Sequence, residues 1–233
     1  MIRTLFVVWT LLCESTVAVH AADARQSYAV HCASCHGSTG KGSALGPSLI
    51  GVSAPYIHFM LDTGRMPAEV PNVEQTHKAS IFSELQIDDL TKYVVSFSGS
   101  TKSTLPEVGP GDIGRGRQLF AENCEHCHGA GGEGGAVGYG YNRVAPSLAR
   151  ATVFQVAEAV RAGPGVMPKF GEDVLSDQDV DDLARYVSFL QTGNANPGGM
   201  ALSNIGPVAE GFVAWVFGFG MLIALIRRLG TNA

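Results

Sequence analysis

The sequence predicts a mainly α-helical chain: two small tandem domains followed by one C-terminal transmembrane helix. Three observations lead there. The middle of the chain is written twice, "RQSYAVHCASCHG" (25–37) matching "RQLFAENCEHCHG" (117–129) and "IDDLTKYVVSF" (87–97) matching "VDDLARYVSFL" (180–190). The last segment of each copy carries apolar residues at helical spacing (Leu90, Tyr93, Val94, Phe97; Leu183, Tyr186, Val187, Leu190), while strand alternation is scarce. Beyond the second copy, residues 211–226 carry no charge at all.

Residues 1–24 read as an export signal. Arg3 gives a positive start, an apolar stretch runs from Leu5 to Cys13, and small residues permit cleavage after Ala21 or Ala24. Glu14 stops the apolar run far short of the roughly 20 residues a span requires. The first domain follows over 25–100 and the second over 114–192, joined by a linker, 101–113, rich in turn formers. Each reads as helix, long Gly-rich loop, short helix, loop and terminal helix. The first helix covers 24–31, and the middle helices cover 54–62 ("APYIHFMLD") and 154–163 ("FQVAEAVRAG"). Domains this small and loop-rich have meagre cores, so a further group must fill each interior.

A second linker, 193–206, leads into the predicted transmembrane helix 207–226, whose 20 residues make about 30 Å of helix. Arg227 and Arg228 follow at once, and no Lys or Arg stands between Arg185 and Arg227. By the positive-inside rule, the tail 227–233 is cytoplasmic and both domains are extracytoplasmic. The formal net charge of -5, with charged residues at only 16%, excludes nucleic acid as a partner, because phosphate neutralisation needs clustered Lys and Arg.

Cys32, Cys35 and His36 form C-x-x-C-H, as do Cys124, Cys127 and His128. This pattern marks covalent attachment of a c-type haem: two thiols add across the two vinyl groups, and the following imidazole faces the iron. A four-thiolate zinc site would need the pairs much closer in sequence, a thioredoxin-like pair would need a βαβ context, and disulfides leave both histidines unexplained. Two covalently bound haem c groups are therefore expected. Met66 and Met167 occupy equivalent positions in "GRMPAE" (64–69) and "GVMPKF" (165–170), and are assigned as the opposite iron ligands. Met60 lies in an apolar stretch without a repeat partner and reads as core. His31, His58, His77 and His126 read as packing or surface residues, with His77 the one substitute ligand in the first domain.

Taken together, the C-x-x-C-H pairs, the "GPSL" and "APSL" loops (46–49, 145–148), the Met-Pro loops and the closing aromatic helices resemble tandem class I cytochromes c over nearly all of 25–190. With the tail "IGPVAEGFVAWV", the chain resembles the dihaem cytochrome c subunit of the actinobacterial cytochrome bc1 (bcc-type) complex. That resemblance implies that Pro47 and Pro146 lend their carbonyls to the proximal imidazoles. It also implies partnership with a cytochrome b subunit and a Rieske iron–sulfur subunit, and delivery of electrons to an aa3-type oxidase in a supercomplex. With both irons closed by His and Met, the expected role is single-electron transfer in a quinol–cytochrome c reductase, without a substrate-binding catalytic site in this subunit.

Overall fold

The computed structural model describes residues 23–71, 73, 75–98, 104–137, 144–192 and 207–230. The predicted signal up to residue 22, the whole of the second linker (193–206) and residues 231–233 of the tail lie outside these.

Each repeat folds into the predicted helices around its own core. In the first domain these are α1 (23–31), α2 (Ala33–His36), α3 (Ala54–Asp62) and α4 (Glu84–Val95), the last closed by a 3-10 turn, Ser96–Ser98. In the second they are α5 (Ile113–Asn123), α6 (Glu125–His128), α7 (Val153–Ala162) and α8 (Asp177–Leu190). Local chemistry sets the starts. Ser83 with Gln86, Thr152 with Gln155 and Ser176 with Asp179 form reciprocal capping boxes that satisfy the free N–H groups of α4, α7 and α8. The α7 helix stops at Gly163, which takes a left-handed conformation (φ 63°) that side chains disfavour.

Packing follows the apolar spacing seen in the sequence. Tyr28, Ile57, Leu61, Ile87, Leu90 and Val94 form one buried cluster; Leu119, Phe120, Ala157, Val160, Leu183 and Val187 form the other. Edge-on contacts join Tyr28 to Tyr93 (5.5 Å) and Phe97 (5.1 Å). Phe97 sits in the 3-10 turn rather than on α4 itself. In the second domain α5 crosses α8 so closely that a Cβ on Gly116 would lie 2.0 Å from the Asp182 carbonyl oxygen. Ala24, at the equivalent position of the first repeat, is likewise only 4% exposed.

Three features differ from the expectation. The linker between the domains is docked over its described part: Leu105 packs on the first core and Val108 on the second. The Gly109 N–H donates to Asp181 Oδ1 (3.0 Å) and the Asp112 N–H to Asp182 Oδ1 (2.8 Å), so α8 offers side-chain acceptors that hold the strap. The second domain carries a small antiparallel pair, β1 (Gly135–Ala136) with β2 (Val144–Ala145). Finally, α9 (Pro207–Gly230) continues beyond the predicted end at residue 226. From Gly211 to Gly230 it is long and apolar enough to cross a membrane, with mean hydropathy 1.8 and none of this stretch buried in the protein.

The two domains meet through the same helix of each repeat. The α3 helix packs along α7. Asp62, at the end of α3, accepts a hydrogen bond from Gln155 Nε2 (2.7 Å), near the start of α7, so the helices run antiparallel, as in a pseudo-twofold contact.

Candidate functional site

The C-x-x-C-H segments fold alike, bond for bond. The Cys32 N–H donates to the Tyr28 carbonyl (2.9 Å) and the Cys124 N–H to that of Phe120 (2.8 Å), tying each thiol pair to the preceding helix. The His36 and His128 N–H groups donate to the carbonyls of Cys32 and Cys124, both at 2.9 Å. The loop then folds back: the Gly42 N–H donates to the His36 carbonyl (2.8 Å) and the Gly134 N–H to that of His128 (2.7 Å). Glycine is required at both, since φ is 85° and 80° and a Cβ would fall 2.7 Å from Ser48 N at the first and 2.5 Å from the Ala145 carbonyl oxygen at the second.

This fold-back brings the proline loops to the imidazoles. His36 Nδ1 lies 2.8 Å from the Pro47 carbonyl oxygen and His128 Nδ1 lies 3.1 Å from that of Pro146. A carbonyl only accepts, so Nδ1 carries the proton in each neutral ring and Nε2 keeps its lone pair for a metal. Burial holds the His128 pKa below the usual imidazole value, against the opposing pull of Pro146, which favours that neutral ligand form. Burial, then repulsion from the neighbouring Cys35 and Cys127, pushes the thiols of Cys32 and Cys124 up to about 11. All four thiols are free of disulfides, and Cys32 and Cys124 pack against different cores.

A cavity of about 450 Å³ opens at the second domain. Cys124, Cys127 and His128 stand on its wall together with Met167, the predicted opposite ligand. The wall is otherwise largely apolar, with Phe120, Leu148, Val160, Leu183 and Val187 among its side chains. The residues fit a covalently held haem: paired thiols, an imidazole with a free Nε2, a thioether and an apolar cleft. Met66 reaches the same cavity from the first domain, beside Met60, whose carbonyl accepts the Met66 N–H (2.9 Å). Met60 is thus cavity wall rather than part of the buried core. Cys32, Cys35 and His36 do not line this cavity; His36 is 8% exposed and anchored to Pro47 instead. The Met loops share a glycine with positive φ, 61° at Gly64 and 63° at Gly165.

Two histidines left as packing residues acquire partners or neighbours. His77 lies on the cavity wall, its pKa lowered by burial and by Arg65 and Arg150. His58 faces the second domain, Nδ1 at 2.6 Å from Glu158 Oε1. No repeat pairing signals that contact, because it joins the domains rather than recurring in each.

A helical domain closed by a terminal helix crossing, with a C-x-x-C-H turn on a proline carbonyl, is the cytochrome c class, here present twice. Comparison with known proteins agrees: residues 21–98 match the family "Cytochrome c", and residues 111–187 match "Cytochrome C oxidase, cbb3-type, subunit III". Cytochrome c domains carry covalently bound haem c. Over 218 residues the chain is 36% identical to the "Cytochrome bc1 complex cytochrome c subunit" of Mycobacterium tuberculosis, covering 90% of this chain and 77% of that one. It is 31% identical over 230 residues to the protein of the same name from Corynebacterium efficiens, covering 91% and 77%. A more distant likeness, 30% over 193 residues (74% of this chain, 62% of the other), is to the cbb3-type cytochrome c oxidase subunit CcoP of an Azospirillum species. The chain belongs to the family of cytochrome c subunits of the cytochrome bc1 complex.

Proposed function

We propose that this chain is the membrane-anchored dihaem electron carrier of a respiratory quinol–cytochrome c reductase, working beside a cytochrome b subunit and a Rieske iron–sulfur subunit. It receives single electrons from the Rieske subunit and passes them to an aa3-type oxidase held in the same assembly. Cys32, Cys35, His36 and Met66 hold one haem; Cys124, Cys127, His128 and Met167 hold the other. Each bound haem supplies reversible one-electron chemistry, and the protein supplies placement and tuning.

The observation that carries this reading is the second-domain cavity, where an imidazole fixed by Pro146 and the Met167 loop occupy one apolar cleft. The Pro47 and Pro146 carbonyls orient the rings and make Nε2 the donor atom. The apolar walls exclude water, and thioether ligation raises the potential relative to harder ligands. Met66 and Met167 stand on one cavity, so the ligand loops of the two domains face a common space through which electrons pass. The α9 helix keeps both domains at the membrane, with the tail from residue 227 in the cytoplasm. Ala24 is packed in the first domain, which favours signal cleavage after Ala21 over cleavage after Ala24.

Native mass spectrometry of the gently extracted membrane complex tests the proposal. It should return two haem masses on this chain, with cytochrome b, a Rieske protein and oxidase subunits. Recovery of the chain without cytochrome b and Rieske protein, or with a single haem, overturns it.

A further inference from the structure

The contact between α3 and α7 is polar and buried where most helix contacts are apolar. His58 Nδ1 lies 2.6 Å from Glu158 Oε1, with side-chain exposures of only 19% and 4%. Asp88, on α4, stands on the other side of the ring, 3.7 Å from His58 Nε2. Asp62 and Gln155 add a second bridge at 2.7 Å. Among the described residues His58 Nδ1 and Glu158 Oε2 are both buried without a well-aligned hydrogen bond, so the contact between the two side chains is that of an ion pair. Glu158 therefore depends on His58 to offset its desolvation, and separating the domains would return both groups to water.

This contact borders the cavity that joins the domains. Gln155 belongs to both, and Tyr56, Phe59, Met60 and Thr63 of the α3 segment line the same cavity that holds Met66 and Met167. The orientation of α3 on α7 thus sets the separation of the two methionine loops. We propose that His58 and Glu158 are positioning residues for electron passage: as a charged pair they clamp the domains together and fix the distance between the two ligand-bearing loops. This rests on the electron-carrier reading above and adds the device that holds its two sites in register.

The clamp is sensitive to pH. The groups that face His58 are Asp62 on its own helix, Asp88 from α4 and Glu158 from α7. The close contact with Glu158, then attraction by all three carboxylates, raises the His58 pKa above its ordinary value against the effect of burial. Burial raises that of Glu158, opposed by His58. A raised imidazole pKa means that the docking contribution is complete below the ordinary imidazole range and is lost as pH climbs through the raised value. Glu158 then remains buried without its counter-charge.

The test uses the full-length holoprotein in detergent, with nitroxide labels at Leu85→Cys and Val174→Cys, both on exposed positions of different domains. Pulsed electron–electron resonance reads the distance between them. At pH 7 one narrow distance is expected, giving way to a broad distribution by pH 10. In Glu158→Gln the docked-to-open ratio should fall by about a hundredfold, with a weaker pH dependence, since Asp62 and Asp88 still face His58. The exchanged pair His58→Glu with Glu158→His should restore the narrow distance. A wild-type distribution unchanged from pH 7 to pH 10 overturns the proposal, as does a narrow distance retained in Glu158→Gln. The wild-type titration decides even if a variant fails to fold. No quinol or oxidase is involved, so failure of the clamp and failure of the respiratory assignment are separately visible.

Discussion

Replacing Gly116 by alanine tests whether the second domain is held together by the close crossing of α5 and α8. An ideal Cβ at this position lies 2.0 Å from the Asp182 carbonyl oxygen and 2.8 Å from Tyr186 Cβ. Ordinary contact begins near 3.4 Å, so α5 must withdraw by about 1.4 Å, and the first atom it meets is backbone. A gap of 0.5–1 Å already forfeits a quarter to a half of each van der Waals well. Leu119, Phe120, Leu183, Tyr186 and Val187 all pack at this crossing. The cost is therefore placed at the upper end of overpacking, about 3 kcal/mol. Alanine returns about 1 kcal/mol of helix propensity. The net loss of about 2 kcal/mol corresponds to a midpoint lower by roughly 8–16 °C for a domain of this size. Gly114→Ala, two residues earlier, is the control: its Cβ meets only the Asp112 side chain, at 3.2 Å, and should leave stability within about 1 kcal/mol of wild type. Thermal melts of the holoprotein, followed by circular dichroism and haem absorbance, compare the two. Equal midpoints for Gly116→Ala and Gly114→Ala would refute the reasoning.

Thr152→Ala removes the hydroxyl that accepts the Gln155 N–H at 3.1 Å, and should cost about 1 kcal/mol of stability, recovered by Thr152→Ser. The same melts measure it, and a loss not recovered by serine would point to methyl packing instead. Met66→Ala and Met167→Ala should each abolish the sulfur-to-iron absorption of one haem and lower its potential, leaving the other haem untouched. Redox titration of each variant reads this, and an unaltered spectrum for Met66→Ala would transfer its role to Met60 or His77, which stand on the same cavity.

What the sequence made legible was whatever lies close together along the chain or recurs in it. The C-x-x-C-H turns, the proline loops and the Met-Pro loops are local segments, and their duplication separated function from chance. The terminal helices declared themselves through apolar spacing, because α4 and α8 bury one face against their own domains. Contacts between the repeats left no such trace. His58 and Glu158 lie 100 positions apart, and each occurs once, so nothing in the pattern pairs them. The docked strap was equally silent: Gly109 and Gly111 read as linker residues, whereas their smallness lets the chain lie against Asp181 and Asp182. Chain ends of helices were uncertain for a familiar reason. Phe97 keeps the helical rhythm of α4 but falls in a 3-10 turn, a frequent way for a helix to finish.

The order of parts along each domain also has a meaning in time. Cys32, Cys35 and His36 precede Met66 by some 30 positions, and α4, which completes the core, comes later still. At synthesis rates of about 5–20 residues per second, seconds elapse between the arrival of the thiols and that of the far wall of the cleft. An emerging first domain therefore has Cys32, Cys35 and His36 in place before α4 arrives to complete the core on which Cys32 packs. The second domain repeats this order, Cys124, Cys127 and His128 preceding Met167 and the closing helix α8.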